Sequence, residues 1–160
     1  MKSMAGTVPY AVALAAAGGA IWWLLSQNMA AGTWLLAGLL VAHGLIHVLF
    51  AVPTPSATAG APEWPFSMAR TWPVTAAGLD ENVVRSIGRA LIVVVAAALT
   101  QAGLSTVGIV VPPTWWAALV VTGAVGSAVT LVLLFNPQLF LGLGIDAVLL
   151  WVVVAGAWQP

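Results

Sequence analysis

Five long apolar stretches, separated by short breaks rich in proline or polar residues, organise the chain. They fall at about 9–26, 33–52, 87–111, 114–135 and 139–158. A hydrocarbon core about 30 Å thick needs roughly 20 apolar residues per helical crossing, and each stretch is near that length. None alternates apolar and polar positions as barrel strands do. In lipid every backbone amide must find its partner within its own segment, which leaves helices. The pattern predicts an all-α, multi-pass integral membrane bundle of five transmembrane helices, forming a single domain over 1–160. The first stretch follows Lys2 and contains AAAGGA, features a signal peptide would share. It continues through Ile21-Trp22-Trp23-Leu24-Leu25, however, and is read as a retained span.

The breaks carry their own logic. Pro112-Pro113 and Asn136-Pro137-Gln138 interrupt the apolar run, because proline cannot donate into a helix and restricts the residue before it. Links this short make the joined helices antiparallel neighbours. The long connection, about 53–82, opens as the linker PTPSATAGAP and continues as EWPFSMARTWPV. Its Trp64, Phe66, Met68 and Trp72 beside Arg70 suit a segment lying at the headgroup interface; a cap folded back over the bundle is the alternative. Asp80 is an N-cap candidate for the third helix, with Glu81 and Arg85 one turn apart.

Charge then orients the bundle. Lys2, Arg70, Arg85 and Arg89 are the four basic residues, and five crossings put all of them on one side. The excess of Lys and Arg on cytoplasmic loops predicts a cytoplasmic N-terminus and a cytoplasmic or interfacial 53–82 loop. Trp22, Trp23, Trp34, Trp115, Trp116 and Trp158 then gather at the opposite interface, as an aromatic belt requires.

Composition removes several functions. Charged residues make up 5% of the chain, against about 25% in soluble domains, so the lipid bilayer is the expected surroundings. Four scattered cations form no patch for nucleic acid. The absence of cysteine excludes disulfides, thiolate metal sites and iron–sulfur clusters. Scarce Lys beside abundant Ala, Val and Gly fits a bacterial inner membrane protein. Nothing in the pattern identifies a partner; a homo-oligomer or association with other membrane subunits is compatible with it.

The candidate chemistry lies in LLVAHGLIHVLFAV, residues 39–52. At 1.5 Å per residue, His47 lies roughly 7 Å and His43 roughly 13 Å from the cytoplasmic boundary. Asp146 of the fifth helix lies roughly 10 Å deep. Arg89 opens the third helix, and Ser127 and Thr130 occupy the inner half of the fourth. An ionisable group facing lipid costs several kcal/mol unless paired, so His43, His47, Arg89, Ser127, Thr130 and Asp146 are expected to point inward as one polar cluster. Asp146 is expected to pair with Arg89 or a histidine. Gly44, Gly142 and Gly144 are expected to admit close helix approach, and Gly123, Ser127 and Thr130 form a small polar stripe.

Such a cluster supports more than one reading. The favoured one is a non-enzymatic membrane component whose cluster fixes helix packing. Intramembrane Asp and His also suit a proton, ion or small-solute translocation component. His43, His47 and Asp146 could form a two-histidine, one-carboxylate metal site or hold haem, although Gly44 replaces the glutamate that a zinc protease would need. Ser127, His47 and Asp146 can be written as a hydrolytic triad, but no nucleophile elbow surrounds Ser127.

Overall fold

The computed structural model describes residues 8–27, 30–53, 64–68, 71–136 and 139–160. Lys2, Glu63, Arg70, Pro137 and most of the PTPSATAGAP linker lie outside them. Helix α1 is Val8–Ser26, and α2 is Ala30–Ile46, continued by a 3-10 turn His47–Ala51. The short α3 is Trp72–Thr75, followed by α4, Glu81–Thr106, then α5, Trp116–Leu133, and α6, Phe140–Val154. No strand occurs among the described residues. Three segments are long and apolar enough to cross a membrane: Ala30–Ala51, Glu81–Thr106 and Pro113–Leu133. Helix α6 is apolar but shorter, at 15 residues.

Local chemistry moves two of the expected boundaries. Helix α4 starts six residues before 87 because Asp80 caps it, its carboxylate accepting from the amides of Asn82 and Val83 at 2.9 and 3.1 Å. Glu81 and Arg85 pair on the same exposed turn. The helix stops at Thr106 although apolar residues continue to Val111. Gly108 takes a left-handed φ of 68°, and the amides of Gly108 and Ile109 close back on Ser105 and Leu104, the Schellman arrangement. Gly156, at φ 59°, ends α6 before 158 in the same way, with Ala157 closing on Val152. Hydropathy cannot see a left-handed glycine embedded in an apolar run.

The helices pack in the order α1, α2, α4, α5, α6, with antiparallel neighbours, as an arc. Small residues set the spacing. A Cβ on Gly103 would lie 2.7 Å from the Ala37 carbonyl, and one on Gly44 would lie 2.9 Å from Leu99 Cβ. Gly123 takes the Leu99 side chain against its own Cα. Two apolar layers result. One contains Leu40, Val95, Leu99, Val120, Ala124 and Leu149; the other contains Phe50, Met68, Val84, Ile92, Leu131 and Leu139.

The described part of the connection before α4, residues 64–68 and 71–80, packs against the bundle. Phe66 meets Phe50 edge-to-face at 5.3 Å, Met68 and Pro73 are buried, and the Trp72 indole donates to the Val132 carbonyl at 2.7 Å. At the opposite end Trp22, Trp23, Trp34 and Trp115 are exposed, as a belt would be. Trp116 departs from that expectation. It is 1% exposed, stacked edge-to-face with Trp158 at 5.3 Å, because its position begins the α5 stripe continued by Val120 and Ala124.

Candidate functional site

Between the two apolar layers lies a polar one, built by three helices. Residues one turn apart on α2 present His43 and His47 on one face. Ser127 of α5 and Asp146 of α6 close the layer from the other side. All four are buried, with Ser127 at 0% and Asp146 and His47 at 1%. Gly142 allows α6 close enough: a Cβ there would lie 2.7 Å from Leu131. Gly144, expected to help in the same way, instead faces open space.

The bonds form a connected set. His43 Nε2 lies 2.9 Å from Asp146 Oδ1. Ser127 Oγ lies 2.7 Å from Asp146 Oδ2 and 2.9 Å from His47 Nε2, with His43 Nε2 at 3.5 Å. His47 Nδ1 lies 2.9 Å from the carbonyl of His43. A carbonyl oxygen only accepts, so Nδ1 of His47 carries a proton and donates.

That assignment leaves two complete ways to place the remaining protons. In one, the acid form of Asp146 donates from Oδ2 to Ser127, Ser127 donates to His47 Nε2, and His43 Nε2–H donates to Oδ1. In the other, Asp146 is a carboxylate accepting from Ser127, and a doubly protonated His47 donates to Ser127 Oγ. Every short contact holds one proton in both, and the total number of protons is the same. The two differ only by passing a proton from Asp146 to His47 through Ser127. Removing one proton leaves Ser127 with a single hydrogen for two acceptors. Adding one to Asp146, Ser127 or His47 leaves the Ser127 hydroxyl without an acceptor. Either failure buries an unsatisfied polar group, at a cost of about 1–3 kcal/mol.

The other expected members take different places. Thr130 is fully buried, but its hydroxyl donates to the Gly126 carbonyl of its own helix at 2.8 Å, so it stays outside the network. Arg89 is exposed and does not join the cluster. The reason is helical phase: Val84, Gly88, Ile92, Val95 and Leu99 form the buried stripe of α4, and Arg89 lies one residue, about 100°, beyond it. Asp146 therefore takes a histidine, not Arg89, as its partner.

The geometry also separates the chemical alternatives. Among the described residues no three His, Cys, Asp or Glu side chains are grouped to share a metal ion. His43, His47 and Asp146 turn their donor atoms on one another and on Ser127, so the two-histidine, one-carboxylate set does not form. The triad order is wrong as well. A hydrolytic triad needs a carboxylate on the histidine nitrogen remote from serine; here that nitrogen of His47 meets a backbone carbonyl, and Asp146 binds the serine itself. With Ser127 at 0% exposure, no carbonyl substrate can reach it.

Ser127, expected both in the polar cluster and in the small polar stripe, is the hub that joins Asp146 to His47. The signal in the sequence is register: parallel α2 and α5, with α6 running the other way beside them, place residues 43–47, 127 and 146 at one depth. No family model matches the chain, and no curated protein or solved structure matches it either.

Proposed function

We propose that the chain is a non-enzymatic component of a bacterial inner membrane, crossing it five times with a cytoplasmic N-terminus. On this reading its working centre is a buried Asp146–Ser127–His47 proton relay, open to exchange from the cytoplasmic side. The observation that carries the reading is the double engagement of the Ser127 hydroxyl, at 2.7 Å from a carboxylate oxygen and 2.9 Å from an imidazole nitrogen. A lone stabilising hydrogen bond would not offer two interchangeable proton placements.

Sidedness rests on two observations. A cavity of about 370 Å³ adjoins the relay, with His43, His47, Phe50 and Phe66 in its wall, at the end of the bundle where α4 begins with Arg85 and Arg89. Beyond the relay in the other direction lies the apolar layer of Leu40, Leu99, Val120 and Leu149. Ser105 and Thr106 further out are bonded to the Pro112 and Ala102 carbonyls. A relay joined to one face exchanges protons without conducting them across the bilayer, which distinguishes it from the translocation alternative.

The test uses the full chain in liposomes carrying a pH gradient, with infrared detection of the Asp146 carboxyl. The expected result is a preserved gradient and a carboxyl band that changes with pH on the cytoplasmic side alone. Dissipation of the gradient, abolished by Asp146→Asn, would overturn the one-sided reading in favour of translocation.

A further inference from the structure

The arc of helices leaves a seam where α6 faces α1 and α2. A cavity of about 610 Å³ fills its upper part, with Gly18, Trp22, Leu36, Gly144, Val148 and Trp151 in its wall. Leu39, Leu141 and Ile145 line both this cavity and the smaller one beside the histidines, so the two adjoin as successive compartments of one seam. Along α2 it runs from Leu36 to Phe50, about 20 Å at helical rise. Each compartment has the size of a ligand site, roughly 300–1,000 Å³, and the long one has the apolar walls typical of such sites.

The two ends differ chemically. The long compartment is lined by aliphatic side chains, tryptophan rings and glycine faces; a Cβ on Gly18, Gly19 or Gly144 would have no atom within 4 Å. The short compartment is lined by ring edges, with Phe50 against Phe66 at 5.3 Å and against His47 at 6.3 Å. Of the ring nitrogens of the two histidines in its wall, Nδ1 of His43 is the one with no hydrogen bond among the described residues. Because Nε2–H of His43 donates to Asp146 in both proton placements, Nδ1 is an acceptor. Among the described residues no Lys or Arg lines either compartment, so a phosphate or carboxylate head would meet no cation among them. The groove suits an uncharged, flat, hydroxylated head on one long apolar tail.

We propose that the groove binds a membrane isoprenoid quinol, its ring between His43 and Phe50 and its tail along α6 toward Trp151. One ring hydroxyl donates to His43 Nδ1. The groove stands by itself; the proton-relay reading enters only in fixing Nδ1 as an acceptor.

The experiment titrates the full chain in phosphatidylcholine nanodiscs with decylubiquinol and decylubiquinone, following tryptophan quenching. Saturable binding is expected, with the quinol favoured by about fivefold, the worth of one hydrogen bond near 1 kcal/mol. Gly144→Leu puts a side chain into the groove from a position whose Cβ meets no atom within 4 Å. It should unfold at or slightly above the wild-type temperature yet weaken binding about tenfold, as two lost methylene contacts would. His43→Phe should abolish the quinol preference. The relay is read from the Asp146 carboxyl band in liposomes and the groove from quinol binding in nanodiscs, so the two readings fail separately. Non-saturable quenching, indifference to Gly144→Leu, or a tightly held phospholipid that quinol does not displace would overturn the proposal.

Discussion

Replacing Ser127 with alanine separates a hydrogen-bonded relay from small-residue packing by the sign of its effect. Ser127 is fully buried, and alanine has nearly its shape, so if packing were its only role the change would be neutral. In the network the substitution removes two short bonds, at 2.7 and 2.9 Å, and leaves an Asp146 oxygen and a His47 nitrogen facing a methyl group. Hydrogen bonds within membrane proteins average about 0.6 kcal/mol, with a maximum near 1.7. Two of them give a loss of about 1 to 3 kcal/mol. For a chain of this length each kcal/mol shifts the midpoint by roughly 2–4 °C, so thermal unfolding should fall by about 3–10 °C. Thr130→Val is the internal control. Its hydroxyl satisfies only its own helix, and the loss should stay below about 1 kcal/mol. An unchanged or raised midpoint for Ser127→Ala would refute the network.

Other consequences are equally open to measurement. Gly103→Ala should destabilise by about 1–3 kcal/mol in thermal unfolding, since its Cβ would strike the Ala37 backbone, which cannot rotate away. Gly144→Ala, set in open space, should gain up to about 1 kcal/mol of helix propensity in the same assay. Asp80→Ala should cost about 1 kcal/mol and raise amide exchange in the first turn of α4, by loss of its cap. Because the chain has no cysteine, single cysteines report sidedness cleanly. In intact spheroplasts an impermeant maleimide should label Val110→Cys and spare Ala77→Cys; the reverse pattern would invert the proposed orientation.

What the sequence made legible was the layer, and what it hid was the wiring. Lipid penalises solitary ionisable groups, so the depths of His43, His47 and Asp146 could be worked out from apolar runs and helical rise alone. Arg89 passed the same depth test and still lies outside the cluster. Depth is a coordinate along the helix, whereas inclusion depends on phase around it. The phase of α4 was written in the Val84–Gly88–Ile92–Val95–Leu99 stripe. Trp116 shows the same effect among the belt residues. Two boundaries stayed hidden because the left-handed backbone at Gly108 and Gly156 leaves no trace in hydropathy. The identity of each hydrogen-bond partner depended on ångström-scale approach across helices, which Gly44 and Gly142 permit and which no spacing rule encodes.

The relay is tested most directly by nitrogen-15 NMR of the histidine rings, combined with carbon-13 detection of the Asp146 carboxyl, in the lipid-embedded chain. The protein has two histidines, so both rings can be assigned with one substitution. His47 Nδ1 should stay protonated throughout a pH titration. The His47 Nε2 signal should move in step with the Asp146 carboxyl, and that coupling should be lost in Ser127→Ala. A His47 ring bare at Nδ1, or one that titrates independently of Asp146, would contradict it.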